Sequence, residues 1–283
     1  MRDNDQSISN SDMGRLRSLI YAQSGINLSV EKKTMLELRL RPRLRVLAID
    51  SYREYCEYLF SASGQREEIV PLLDAVSTNK TDFFREPDHF EYLKAKVLPE
   101  MMQGNAGRRP LLFWSAGCSS GEEPYTLSMV LSEYARSHPG LRFRVLATDL
   151  CTTVLEKARL AVFNAEVVAP IPAELRQRYF LRSRDRASKQ MRIVPELRDL
   201  IEFRRLNFMD SDYGLREKMD VIFCRNVIIY FDRATQEQIL QKLTHQLAPG
   251  GTIFLGHSET LSGLDVPLVS VAPSTYRRPH GRA

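Results

Sequence analysis

Leu111–Tyr125, LLFWSAGCSSGEEPY, is the stretch on which the fold of this chain turns. An apolar run enters a loop of small residues with glycines at 117 and 121, then meets Glu122 and Glu123. Glycine lets a backbone turn sharply and approach a ligand closely. Acidic residues suit the first turn of a helix, where the macrodipole is positive. The order is therefore strand, ligand loop, helix. A second apolar run, Phe143–Ala147, ends at Thr148-Asp149. The two runs form one βαβ unit whose ligand groups meet at the carboxyl edge of a parallel sheet.

The same alternation continues downstream. Strands are predicted at Leu111–Ser115, Phe143–Ala147, Ile201–Leu206, Val221–Cys224, Thr252–Leu255 and Val269–Arg277. Helices are predicted at Glu123–Arg136, Thr153–Arg159 and Thr235–Leu247. Ala161–Leu200 is too long for a plain helix-to-strand connection. With SRDRASKQ at 183–190 as a turn, it suggests an inserted helix and hairpin.

Upstream, residues 11–75 show only helical spacing. Ser11 and Asp12 offer caps for a helix over Met13–Ser24 that Gly25 stops. Ser29 is expected to cap a basic helix with Leu36, Leu40, Leu44 and Leu47 down one side. Pro42 inside it should kink or split it. Ser51 precedes a third helix, Tyr52–Phe60, and a fourth spans about Arg66–Val76. The expected division is a loose tail at 1–10, a helical domain at 11–76 and a linker with a connecting helix at 77–110. An α/β domain follows at 111–283, with an insertion at about 161–200.

Composition narrows the class. Apolar residues make up 43% and charged residues 27%, as in ordinary globular proteins. No apolar run reaches membrane-spanning length. The start, MRDNDQSISNSDMG, lacks the apolar region of a secretory signal. The four cysteines, Cys56, Cys118, Cys151 and Cys224, show no CxxC spacing, which argues against zinc and for reduced thiols in packing roles. Net charge is +5, and it is clustered. Lys32, Lys33, Arg39, Arg41, Arg43 and Arg45 face only Glu31 and Glu37 in Glu31–Leu47, and Arg176–Arg205 is similarly basic. Such patches fit an acidic macromolecular partner or a solubilising surface equally well.

The loop chemistry narrows the ligand. It lacks GxGxxG, so a dinucleotide pyrophosphate fits poorly, and it lacks GK[ST], so it is no P-loop. Glu122 and Glu123 would repel phosphate, whereas Asp149 is placed to accept from ribose hydroxyls. A cationic, phosphate-free nucleoside such as S-adenosylmethionine suits these groups. The plain alternative is a tight turn with solvated acids. Three more segments belong at the same edge: TNKTDFFREPDHF at 78–90, Asn207-Phe208 leading to Asp210, and RNVIIYF at 225–231. Alone, each reads as packing or turn.

TNKTDFFRE, FWSAGCSSGEEPY, ATDL, RRLNF, DVIFCRNVIIYFD and LAPGGTIFLGHSE, in this order, resemble the chemotaxis receptor methyltransferase family, CheR. The likeness runs from about residue 15 to 278. It implies an α/β, Rossmann-like class I S-adenosylmethionine-dependent methyltransferase domain. An N-terminal all-helical domain and a small inserted antiparallel β-subdomain go with it. It implies methyl transfer to glutamate side chains of chemoreceptors in bacterial chemotaxis, with S-adenosylhomocysteine as product. The chain is further expected to be a cytoplasmic monomer without metal, nucleic-acid partner or membrane insertion.

Carried over by motif, Asn79, Thr81 and Arg85 would contact the methionine end or line the transfer site. Ala116, Gly117 and Glu123 would hold the methionyl part, and Asp149 the ribose. Asn207 and Phe208 would flank the adenine, and Arg225 and Asn226 would close the site. Arg85 and Tyr230 are the candidate catalytic residues, Arg85 forking onto a carboxylate and Tyr230 facing the methyl; an aromatic merely packed under the cofactor is the plainer role for Tyr230. A glutamate acceptor is ionised at neutral pH, so displacement of methyl from sulfonium to carboxylate needs no general base. Lys32, Arg39 and Arg43 would steer receptor glutamates. The β-subdomain docks a receptor's C-terminal tether by strand addition in some members of the family. Two competing readings stand beside this one. A nucleic-acid methyltransferase usually needs an aromatic-proline loop such as NPPY or a reactive cysteine where this chain has RNVIIY, and a non-catalytic cofactor sensor would not need Arg85 and Tyr230.

Overall fold

A computed structural model describes residues 7–105, 109–185 and 187–280. Five helices come first: α1 Asn10–Ser24, α2 Lys33–Leu47, α3 Tyr52–Leu59, α4 Ala62–Glu67 and α5 Ile69–Val76. Leu16 and Ile20 of α1, Leu36, Leu40 and Leu44 of α2, Tyr55 and Leu59 of α3, and Leu72 of α5 fill one core. The caps differ in detail from expectation. Ser9, not Ser11 or Asp12, caps α1 by accepting from the Asp12 amide. Ser29 makes no side-chain cap; a 3-10 turn, Val30–Lys32, starts α2 instead. The expected fourth helix is two, meeting at Glu68, whose buried carboxylate takes the Arg43 fork and the Tyr55 hydroxyl.

Pro42 does not split α2, which runs through it as one helix. Pro42 and Leu38 both lie on the exposed side. The Leu38 carbonyl that loses its partner therefore points where water substitutes for the missing N–H. Of the expected tail, residues 1–6 lie outside the described residues. Ser7 and Ile8 are tied down, both donating to Glu37.

A connector follows: α6 Pro87–Tyr92, a π-helical turn at Leu93–Val97, and α7 Leu98–Asn105. Then come β1 Leu111–Ala116, α8 Glu122–Ser137, β2 Phe143–Asp149 and α9 Thr152–Leu160. The insertion holds β3 Val162–Asn164, α10 Ala165–Val168, α11 Ala173–Tyr179, β4 Phe180–Arg182, β5 Gln190–Ile193 and α12 Pro195–Arg198. The chain closes with β6 Ile201–Arg205, β7 Met219–Cys224, α13 Arg233–Gln246, β8 Leu247–Leu255, β9 Val269–Ala272 and β10 Thr275–Arg277.

The main sheet has seven strands in the order β6-β2-β1-β7-β8-β10-β9, with β10 antiparallel to both neighbours and the other pairs parallel. The expected final strand is thus a hairpin. Pro273 cannot donate to a ladder and Ser274 takes a φ of 48°, so the run breaks there. Along β1, Leu111 and Phe113 join the core under α8, while Leu112 and Trp114 join the core under α13. That period-two split on a strand buried along its whole length marks a sheet covered on both faces. The insertion is a three-stranded antiparallel sheet, β3-β5-β4. Its β3 was not anticipated, because three residues directly behind a helix are too few to show an alternation. Phe163 and Phe180 set their edges against Phe83, with centroids 4.9 and 5.8 Å away, and fasten the insertion to the connector.

From β1 the chain crosses to β2 and β6 on one flank and returns to β7 on the other. The switch of direction falls at the carboxyl end of β1, where α/β sheets bind ligands. The helical domain is fastened beside that mouth. Asp74 accepts from the amides of Thr152 and Thr153 at the start of α9, Tyr21 donates to Asp232, and the Asn27 amide donates to the Tyr230 carbonyl.

Gly25 joins the two halves. It ends α1 with φ 73°, and a Cβ there would meet Met209 Sδ at 2.6 Å and Phe231 and Thr235 at 3.2 Å. Gly25→Ala is expected to lower stability by about 1–2 kcal/mol, chiefly through the left-handed backbone, as read by denaturant unfolding. Unchanged stability would show that the junction relaxes freely.

Candidate functional site

The glycine loop is built by the end of β2. After Ala116 the chain turns at Gly117, φ 89°, and the amides of Gly117 and Cys118 donate to the Thr148 carbonyl at 2.8 and 2.9 Å. A Cβ on Gly117 would stand 2.4 Å from Val227 Cγ2, so no larger residue fits without moving that side chain. Trp114 Nε1 donates to Thr148 Oγ1 beneath the loop at 2.9 Å. Asp149 accepts from the Ser119 amide at 2.8 Å and the Cys151 amide at 2.9 Å. Burial pushes its carboxyl up, while these amides pull it down. Each carboxylate oxygen has more than one acceptor position, so both amides leave capacity for a ligand hydroxyl.

Arg225, just past the carboxyl end of β7, is buried and held by several acceptors. Its Nε donates to Glu123 Oε2 at 2.8 Å, and a terminal nitrogen donates to the Arg85 carbonyl at 2.6 Å. Glu123 Oε1 in turn accepts from Ser115 Oγ at 2.6 Å. The rings of Phe90 and Phe223 lie 5.2 and 5.5 Å from the guanidinium. Arg225 therefore braces three segments: the end of β7, the start of α8 and the connector.

These residues wall a cleft of about 1180 Å³, open solvent included, between the sheet edge and the helical domain. Of the predicted site residues, Asn79, Thr81, Arg85, Gly117, Glu123, Asp149, Asn207, Phe208, Arg225, Asn226, Tyr230 and Lys32 line it. Ala116 does not; it is buried at the end of β1, under the loop. Arg85 also donates to the Lys80 carbonyl. Asn207 uses its amide nitrogen on the Gln23 carbonyl, and Phe208 stands edge-on to Phe231. Arg39 and Arg43 lie outside the cleft: Arg39 holds the carbonyls of Val76 and Ser77, and Arg43 pairs with Glu68.

Several contributors were not anticipated. Ser24, Ile26, Asn27, Leu28 and Met35 of the helical domain form one wall, and nothing in their local pattern separates them from core or loop residues. Ser119 is not among the expected residues, although a non-glycine residue at φ 49° donating to Asp149 is central to the loop. Glu86, His89 and His257 come within ligand distance of one another, but the Arg225 guanidinium lies 3.4 Å from His89 Nδ1 and already supplies a positive charge there. The four cysteines are free and buried, and burial pushes their thiols up.

Residues 79–276 match the family model described as CheR methyltransferase, SAM binding domain, and residues 11–77 match the CheR all-alpha domain. This chain belongs to the CheR methyltransferase family. A chemotaxis protein methyltransferase of Borreliella burgdorferi is 35% identical over 274 residues, 96% of this chain and 95% of that one. Chemotaxis protein methyltransferase 2 of Pseudomonas aeruginosa is 37% identical over 265 residues, 94% and 92% of the two chains. The Escherichia coli chemotaxis protein methyltransferase is 36% identical over 258 residues, 91% and 87%. The α/β domain is thus a methyltransferase domain that binds S-adenosylmethionine. Its cleft fits that group: Glu123 and Asp149 line it, the loop presents no phosphate-binding lysine, and Asp149 is set at the strand end for hydroxyls.

His89 offers a check on this CheR site that needs no substrate. It is buried with Nε2 unpartnered, and burial, with Arg225 beside it, lowers its pKa to about 4. The unfolded chain takes the proton near pH 6.5, well before the folded one does. Stability from this residue is intact above that pH and is lost as pH falls toward 4, by about 3 kcal/mol at most. Chemical denaturation of wild type and His89→Gln across this range is expected to show a shallower pH slope in the variant. Equal slopes would mean that His89 takes its proton as readily in the fold as in the unfolded chain.

Proposed function

We propose that this chain is a protein-glutamate O-methyltransferase of the bacterial cytoplasm that esterifies glutamate side chains of chemoreceptors. The observation that carries the reading is the absence of an idle base. Among the described residues, no histidine lines the cleft; of its two carboxylates, Glu123 is held by Ser115 and Arg225, and Asp149 is held by two amides with its remaining acceptor positions suited to cofactor hydroxyls. An amine or hydroxyl acceptor would need a group to take its proton. A glutamate carboxylate, with an ordinary pKa of about 4.3, does not. The names of the relatives, chemotaxis protein methyltransferases, supply the setting.

S-adenosylmethionine, when bound, supplies an electrophilic methyl on a cationic sulfur. The chain's own residues bind, orient and exclude water. Asp149 holds ribose hydroxyls, Asn79 and Thr81 the methionine end, and Asn207 and Phe208 the adenine. Arg85 forks onto a carboxylate and Tyr230 aims the acceptor oxygen. Orientation of this kind lowers a barrier by up to about 7–11 kcal/mol.

Lys32 stands exposed at the rim, and Arg41 and Arg45 are exposed on α2, where they draw acidic receptor helices toward the cleft. With Arg43 neutralised by Glu68 and Arg39 tied to backbone, these three carry the steering that the wider patch suggested. The edge strands β3 and β4 of the insertion suit a receptor tether adding as a further strand. We take the enzyme as a monomer that uses neither metal nor nucleic acid.

Offered receptor, RNA and DNA together with tritiated cofactor, the enzyme is expected to label receptor, and mild base to release the label as volatile methanol. Base-stable label, or label on nucleic acid, would refute the ester assignment. Arg85→Ala should lower turnover at saturating cofactor by at least ~100-fold, a few kcal/mol at the transition state; near-normal turnover would remove Arg85 from the transfer step. Lys32→Glu should slow methylation at low salt by roughly an order of magnitude, and the gap should close as salt rises. A salt-independent difference would place Lys32 in binding rather than steering.

A further inference from the structure

Glu259 follows β8, and it is buried. A buried carboxylate requires partners, and among the described residues every hydrogen-bond partner of this one is backbone. Its Oε1 accepts from the amides of Val227 and Ile228 at 2.8 and 2.9 Å. Its Oε2 accepts from the amides of Asn226 and Gly256 at 2.8 and 2.6 Å. Three of these four donors are successive residues of the loop behind Arg225, where Asn226 sits at φ 57°. Successive amides turned to one point form an anion nest, and here the chain supplies the anion itself.

The nest lies directly under site residues. Asn226, Val227, Ile229 and Tyr230 all line the cleft, and Tyr230 follows in the short 3-10 turn Ile228–Tyr230. From the other side, Glu86 holds the same loop through Asn226 Nδ2 at 3.3 Å. We propose that Glu259 is a positioning residue for methyl transfer: it clamps the 225–231 loop in the conformation that presents Arg225, Asn226 and Tyr230 to the cleft. The proposal rests on the methyltransferase reading above and adds what sets the geometry of its acceptor side. Glu259 is outside the residues that line the cleft, so it acts through the loop.

The chemistry of the clamp makes it testable. A glutamine has the same shape, yet its amide nitrogen must face two backbone N–H groups whichever way it flips. Glu259→Gln keeps the volume and breaks half the nest. In that variant, amide hydrogen exchange of peptides covering 225–231 is expected to speed up, with exchange of β1 and β7 unchanged. Turnover at saturating cofactor is expected to fall ~10- to 100-fold, more than any loss of cofactor affinity read by calorimetry with S-adenosylhomocysteine. A role in packing alone predicts the reverse, with normal exchange and normal turnover. If Glu259→Gln does not fold, Gly256→Ala tests the same nest, since a Cβ there would stand 2.5 Å from Asn226 Nδ2 and 2.9 Å from Glu259 Oε2. Unchanged loop exchange in the folded variant overturns the clamp, and faster exchange with unchanged turnover overturns its part in transfer. Failure of the wild type to form a base-labile ester would refute the glutamate reading instead, and the exchange data would still decide the clamp.

Discussion

Everything at the cleft depends on one buried cation. Arg225 has left water, and a guanidinium inside a protein must be given acceptors or it destabilises the fold strongly. The acceptors it finds, Glu123, the Arg85 carbonyl and Glu86, come from α8 and from the connector ahead of α6. Satisfying one charge therefore fixes the distance between three segments far apart in sequence. The Phe90 and Phe223 rings beneath it lower the local polarity, which strengthens each of those bonds and raises the penalty of losing one. The position of Arg85, half-buried at the cleft, follows from its carbonyl being held there.

The α/β frame was legible because its signals are local and repeated. Glycines 117 and 121 after a strand and an acid after the next strand announce a ligand edge wherever they occur, and the segments at 78–90, 207–208 and 225–231 do reach that edge. What stayed hidden is long-range. Arg43 looked like a steering charge because nothing near it in sequence shows that Glu68, 25 residues on, would be buried and need it. Glu259 stands in LAPGGTIFLGHSE with no role legible there, since a carboxylate that serves backbone amides leaves no trace in side-chain pattern. Pro42 misled in the opposite direction. Its penalty is real in a buried helix and small on a wet face, and which face it takes is decided by the leucines around it.

The helical domain shows the same dependence on context. Its periodicity made it recognisable as helices packed on one another, but a periodic pattern carries no label for what else the domain touches. Asp74 and Tyr21 dock the domain onto α9 and α13, and nothing in the sequence around them marks that role.

The two-sided cleft has a thermodynamic consequence. One wall belongs to the helical domain, through Ile26, Asn27 and Met35, and the other to the sheet edge. A molecule filling the space bonds to both, and neither wall alone offers the full set of contacts. By mass action, each increment of occupancy is also an increment of cohesion between the halves. A cofactor bound across both walls would in this sense be a structural component with a concentration, adding to how tightly the two halves hold together.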